Sequence, residues 1–217
     1  MDERAVVRGL TRLTSPPLVP EIRLRLAEEP FATWTATRAD DPPFWAFAWS
    51  GGQALARFVL DRPEAVAGRR VADIASGSGL VAIAAALVGA AAVTAFDVDP
   101  LAQTAAAENA ALNNVVVETV RADVTADESA SELKAADVVL AGDVCYDPDM
   151  APPMLAVLRA CAERGAHVLV GDPRRPYLPR GLEAVAEYDV PETGNLEERD
   201  TTRAAVFELR PGSAANG

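Results

Sequence analysis

Residues 71–80 read Val-Ala-Asp-Ile-Ala-Ser-Gly-Ser-Gly-Leu. Strand character from Val71 to Ala75 runs straight into a bend of small residues, and helical spacing begins at Leu80 and continues to residue 88. Glycines at such a strand-to-helix turn let backbone approach a ligand with no side chain in the way. Outward from this bend the chain alternates. Strands are expected at 92–96, 115–120, 137–141 and 166–171, and helices at 51–60, 101–112 and 150–162. A closing strand pair is expected at 184–190 and 203–209. Several of these strands are unbroken apolar runs, the pattern of a parallel sheet covered by helices on both faces. The fold class is therefore α/β, a doubly wound Rossmann-like sheet. A ligand belongs beyond the C-terminal strand ends, where the strand order reverses.

Upstream of this core, a short N-terminal helix carries Arg4, Arg8 and Arg12 on one stripe. Residues 21–27 and 31–37 alternate polar and apolar around a turn at 28–30 and read as a two-stranded ribbon, ended by Pro42 and Pro43. The expected organisation is an extension over 1–50, a main domain over 51–211 and a flexible tail over 212–217.

The chain has 217 residues and a formal charge of −12, enough length for one domain with a full core. Such acidity disfavours phosphate backbones and anionic lipid, and attracts basic segments of a partner. Cys145 and Cys161 are too few for a disulfide framework, so both read as free thiols in a reducing, cytoplasmic setting. Residues 1–17 are charged and develop no leader-like apolar segment. The most apolar stretch, 80–96, is broken by Gly89 and Thr94 and reads as helix, turn and strand, with no membrane span expected. No long apolar stripe is left over, which suggests a monomer. Lys134 is the only lysine.

The bend excludes several chemistries. A dinucleotide fingerprint requires a third glycine where Ala82 stands. A phosphate loop requires Lys-Ser or Lys-Thr after the glycines, and a nucleophile elbow requires glycine two residues away on both sides of a serine. Neither is present. Further on, Asp97 and Asp99 end the next strand. Asp99 before Pro100 suits a helix N-cap with proline at the first helical position, which leaves Asp97 to accept hydrogen bonds from ribose hydroxyls. Asp123, after the third strand, suits either an adenine amino group or a turn.

Together these features resemble the seven-strand S-adenosylmethionine methyltransferases over residues 45–210, with Ala75 where that family usually has its first loop glycine. Asp143-Val144-Cys145-Tyr146 is similar to the Asp-x-x-Tyr of the protein-lysine methyltransferase group called family sixteen. Residues 44–55, Phe-Trp-Ala-Phe-Ala-Trp-Ser-Gly-Gly-Gln-Ala-Leu, and 171–176, Gly-Asp-Pro-Arg-Arg-Pro, resemble its branch acting on lysines of the electron transfer flavoprotein β subunit. The resemblance implies a seven-stranded class I fold, S-adenosylmethionine as cofactor and a lysine-bearing protein as substrate. That substrate would be the electron transfer flavoprotein β subunit, with the ribosomal stalk protein as a second target. The candidate cofactor-binding residues are Trp49, Ser76, Gly77, Gly79, Asp97, Asp123 and Gly142. Asp143 and Tyr146 are the candidate catalytic residues, facing the incoming lysine.

Plainer readings stand beside these. Trp45 and Trp49, four apart, also fit one core-facing helical stripe, and Asp143 also fits a turn cap. Cys145 lacks an evident base, because His167 lies in an apolar strand and reads as structural. Arg174 and Arg175 either steer an acidic part of a partner or are solvated. No metal site is expected. Two other functions stay open: a small-molecule N-methyltransferase with a nicotinamide-like acceptor, and a non-catalytic binding module on a cofactor fold. An enclosed acceptor pocket would favour the first, and an open groove beside Asp143 would favour a protein substrate.

Overall fold

The computed structural model describes residues 2–28, 33–35, 42–126, 131–191 and 201–212. The Asp2 carboxylate accepts the Arg4 amide and caps α1 (Glu3–Leu10). Strands β1 (Arg12–Thr14) and β2 (Leu24–Leu26) then pair antiparallel, Arg12 opposite Leu26. This corrects the expected ribbon. Its first strand lies within 21–27, but the partner is residues 12–14, and residues 33–35 are helical. The rest of 31–37 lies outside the described residues. A three-residue strand is too short to show a period, and the β-formers Thr33, Trp34 and Thr35 yield to their context.

A 3-10 turn (Phe44–Ala46) leads into α2 (Ser50–Asp61), whose N-cap is Trp49. Trp45 and Trp49 therefore share no helical stripe. Trp45 is buried and Trp49 is exposed.

The main sheet comprises β3 (Arg70–Ile74), β4 (Ala92–Asp97), β5 (Glu118–Arg121), β6 (Val138–Gly142), β7 (His167–Asp172), β8 (Ala184–Pro191) and β9 (Thr201–Leu209). Its order is β5-β4-β3-β6-β7-β9-β8, with β9 antiparallel to both neighbours and all other pairs parallel. Between the parallel strands run α3 (Leu80–Leu87), α4 (Pro100–Leu112), α5 (Ser131–Ala135) and α6 (Ala151–Glu163). Strand β5 starts later than expected, because Asn114 turns left-handed (φ 57°) and Val115 still bonds back to the end of α4.

Successive residues of a strand face opposite cores. Val71, Val93, Val138 and Leu140 pack with α2 and α3, whereas Ala72, Ile74, Val139 and Val168 pack with α5 and α6. Burial on both faces is the reason these strands read as continuous apolar runs. A third cluster, of Val7, Trp45, Ala102 and Ala105, fastens α1 and the 3-10 turn to α4. Residues 80–96 form α3, a turn and β4, and among the described residues no helix is long and apolar enough to cross a membrane.

The chain moves outward from β3 to β5 and then crosses back to β6, on the other side of β3. The switch point is thus the crevice at the C-terminal ends of β3 and β6. Register sets Ile74 beside both Phe96 and Ala141. The bend after β3, Asp97 and Asp143 consequently emerge at one level.

Candidate active site

Left-handed backbone builds the bend after β3: φ is 53° at Ala75, 51° at Gly77 and 78° at Gly79. Gly79 is required twice over, since a Cβ on it would also lie 2.9 Å from the Ala106 Cβ. Ala75 adopts this region despite its methyl group, a strain of about 1–2 kcal/mol. As N-cap of α3, Gly79 offers no capping side chain. The cap comes from the buried Asp73, whose carboxylate accepts the Ala82 N–H at 3.0 Å. Burial pushes the Asp73 carboxyl up to about 8; the Ala82 amide opposes that and the charge of Asp97 adds to it. The sequence reading assigned Asp73 no role. A lone acid inside an apolar strand was the available signal.

Asp97 reaches back to the bend. Gly77 N–H donates to its Oδ2 at 2.9 Å, and Asp99 N–H donates to its Oδ1 at 3.0 Å. Burial raises the Asp97 pKa, and these amide bonds resist the rise. Beyond these amides the carboxylate keeps spare acceptor capacity. Asp99 caps α4 as expected, accepting the Leu101 N–H at 2.8 Å. Buried polar atoms without a hydrogen-bond partner among the described residues include Ser76 Oγ, Trp45 Nε1 and Gln103 Oε1. All three residues belong to this corner: Gln103 Nε2 lies 3.4 Å from the Asp97 carbonyl, and Trp45 Cα would lie 3.6 Å from a Cβ on Gly77. Asn109 ties the corner together, donating to the Ser78 carbonyl at 2.9 Å and accepting the Arg25 N–H at 2.8 Å. Asp123 serves its turn. It accepts the Thr125 hydroxyl at 2.6 Å and the Thr125 N–H at 2.9 Å, bonds that hold its pKa low.

At the end of β6, Asp143 has φ 59°. Its carboxylate accepts Gly51 N–H at 3.1 Å and Gly52 N–H at 2.6 Å, so it caps α2 from the end of β6. Trp49 provides no side-chain cap of its own. Such an approach needs bare backbone: a Cβ on Gly51 would sit 2.3 Å from the Gly171 oxygen, and one on Gly142 would sit 2.9 Å from the Gly52 Cα. Gly142 is thereby explained by helix packing. Arg175 also donates to Asp143 and bridges to Asp172 at 3.3 Å. The expectation for Arg175 is therefore corrected. It is neither solvated nor free to steer a partner, while Arg174 pairs with Glu187 and covers the Phe207 ring at 5.1 Å. Burial pushes the Asp143 pKa up, and the Arg175 guanidinium and both amides pull against it. Because a guanidinium does not release its proton, Arg175 brings a fixed positive charge to this carboxyl.

Tyr146 joins a row of aromatic rings beside this carboxylate. Phe44 stands 5.2 Å from Tyr146 and 6.0 Å from Trp49, and Phe47 stands 5.8 Å from Trp49, centroid to centroid. The Trp49 indole N–H donates to the Phe44 carbonyl at 3.0 Å. Phe44, Trp49 and Tyr146 are 36, 42 and 41 % exposed, so the row opens to solvent. The sequence placed Phe44 in a motif without giving it a role. Cys145 is buried, and desolvation with the nearby Asp172 pushes its thiol up to about 12, which rules out a thiolate nucleophile. His167 contacts Glu208 at 3.4 Å from the opposite end of β7 and has no part here. A depression of about 470 Å³ lined by Arg69, Arg70, Lys134 and Arg164 also lies at those opposite strand ends.

The site thus has two halves, a glycine bend with Asp97 and a buried carboxylate with an aromatic rim, joined at the switch point. A family model described as ribosomal protein L11 methyltransferase matches residues 54–144. The chain is 38 % identical to the electron transfer flavoprotein beta subunit lysine methyltransferase of Danio rerio over 204 positions, 90 % of this chain and 78 % of that protein. It is 36 % identical to the Rattus norvegicus protein of the same name, over 96 % of this chain and 84 % of that one. Among solved structures, a putative RNA methyltransferase from Pyrococcus horikoshii aligns with a TM-score of 0.56 at 20 % identity, covering 79 % of this chain and 92 % of that chain. At that identity the likeness concerns the fold alone. With relatives 36 and 38 % identical matched over 84 and 78 % of their own length, the chain belongs to the electron transfer flavoprotein beta subunit lysine methyltransferase family.

Proposed function

We propose that this protein transfers methyl groups from S-adenosylmethionine to lysine side chains of the electron transfer flavoprotein β subunit. One observation carries the reading: the bend at Ser76–Gly79 and Asp143 leave the C-terminal ends of the adjacent strands β3 and β6, with Phe44 reaching from the bend to the Tyr146 ring.

The residues fit this cofactor. It has a ribose diol and polar ends but no pyrophosphate. The spare acceptor capacity of Asp97 suits the diol, and Ser76 Oγ, Trp45 Nε1 and Gln103 Oε1 are buried polar atoms in want of partners. A bound S-adenosylmethionine supplies a methyl group on a sulfonium, open to in-line displacement by an amine. The chain's own residues bind and orient. Asp143 contributes negative charge that draws in a lysine ammonium, and Phe44, Trp49 and Tyr146 offer ring faces to the aliphatic stem and the cationic head. An exposed row suits a side chain presented by a protein better than a small nicotinamide-like acceptor. With Lys134 as the only lysine, at the far end of the sheet, self-methylation is limited. A ribosomal protein remains the second candidate substrate, supported by the partial family match. Action as a monomer in a reducing, cytoplasmic setting, with Cys145 and Cys161 as thiols, belongs to the same proposal.

Calorimetry with S-adenosylmethionine tests the first half. Wild type should bind one equivalent, and Asp97→Ala should bind at least about tenfold more weakly, the equivalent of one or two lost hydrogen bonds. Absence of binding would favour a non-catalytic module.

A further inference from the structure

We propose that Arg175 is a positioning residue that supplies a fixed positive charge to the Asp143–Asp172 pair, so that the target lysine is drawn in and still loses its proton. This rests on the lysine methyltransferase reading. The chemistry poses two opposed demands. A lysine arrives as an ammonium, which an anionic site attracts, but only its neutral amine carries the lone pair that forms the new N–C bond as the methyl's bond to sulfur breaks and leaves a neutral thioether. The departing proton goes to bulk water, along the exposed aromatic row.

Two carboxylates meet at this place. Asp143 is buried and Asp172 is fully buried. Asp172 accepts the Arg175 backbone N–H at 2.6 Å through Oδ1, and its Oδ2 lies 3.3 Å from the Arg175 guanidinium, which also contacts Asp143. From α2 the amides of Gly51 and Gly52 face Asp143, and Cys145 and Tyr146 follow it in the loop after β6. Burial and the neighbouring carboxylates keep Cys145 a neutral thiol. Arg175 is therefore the one guanidinium shared by both acids among the described residues. Without it, the incoming ammonium becomes the nearest cation to both buried acids, which then hold it in the protonated, unreactive form.

The test is the pH profile of methyl transfer to purified electron transfer flavoprotein β subunit. In Arg175→Gln the acidic limb of kcat should move up by about one to two pH units, so that turnover falls about ten- to a hundredfold at pH 7 and recovers in alkali. Affinity for the same protein at pH 7, read by calorimetry, should hold or tighten. Arg175→Lys should keep the limb in the wild-type position. Asp172→Asn, which removes one of the two acids and leaves Arg175 in place, should move the limb down. The last two variants carry the test if Arg175→Gln does not fold. Limbs that stay put in Arg175→Gln and Asp172→Asn, or a uniform loss at every pH, would overturn the inference alone. A wild-type protein that transfers nothing at any pH would overturn the methyltransferase reading and this inference with it.

Discussion

Replacing Asp143 by alanine should lower folding stability by about 3 kcal/mol before any effect on chemistry is counted. Three losses combine. The α2 amides of Gly51 and Gly52 lose their acceptor, a cap worth about 0.5–2 kcal/mol. Arg175 loses one of two carboxylates in a half-buried setting, where breaking a pair costs about 3–5 kcal/mol if no partner remains. Asp172 does remain, which places this contribution below that range. Alanine must also hold φ 59°, at about 1–2 kcal/mol, where aspartate is better tolerated. These losses share partners and do not add fully. Urea denaturation followed by tryptophan fluorescence reads the result. With a slope of about 2–3 kcal/mol/M, the midpoint should fall by about 1–1.5 M with the slope unchanged. A shift below about 0.3 M would refute the idea that this carboxylate locks α2 to the sheet. The expected loss also means that inactive Asp143→Ala does not by itself assign a chemical role. Asp143→Asn, which retains an acceptor and tolerates the backbone angle, should lose about half as much stability and is the better probe of the chemistry.

Three further outcomes follow from the same geometry. Ala75→Gly relieves a left-handed alanine at some cost in chain entropy, so thermal melting should show a gain of up to about 1 kcal/mol; destabilisation would contradict the bend. Asp73 is raised from 3.8 to about 8, so the folded protein binds the extra proton between those values, and stability should fall as pH rises through them, by at most about 1.4 kcal/mol per pH unit. Asp73→Asn should flatten that slope in pH-dependent urea titrations. With its thiol raised to about 12 and its side chain buried, Cys145 should resist iodoacetamide at pH 7.5, and alkylation of native protein that abolishes activity would contradict the placement.

What was legible in the sequence was local. The unbroken apolar strands, the small-residue bend at 75–79, the acid at the end of β4 and the Asp99–Pro100 cap each lie within a few residues, and all are seen in the structure. What stayed hidden depends on contacts across the chain. Asp143 caps a helix that starts more than ninety residues earlier, as its bond to Gly51 shows (|i−j| = 92). Arg175 is drawn into the site by Asp143 and Asp172, and nothing in its local pattern separates it from its exposed neighbour Arg174. The ribbon was misread because Arg12–Thr14 is too short for a periodic signal, while the alternation at 31–37 imitates one. Likewise Trp45 and Trp49 are spaced as on a helix, yet a turn separates them and turns one inward and the other outward.

Methyl transfer to a protein lysine between the ends of β3 and β6 leaves a covalent mark on the acceptor. Its most direct test is to incubate the purified enzyme with S-adenosylmethionine and recombinant electron transfer flavoprotein β subunit, and to map the digested substrate by mass spectrometry. The digest should show mass increments of one to three methyl groups on lysine-containing peptides, dependent on enzyme and cofactor and reduced in Asp97→Ala at limiting cofactor. An unmodified substrate in the presence of an enzyme that demonstrably binds the cofactor, or methylation confined to a small-molecule acceptor, would contradict it.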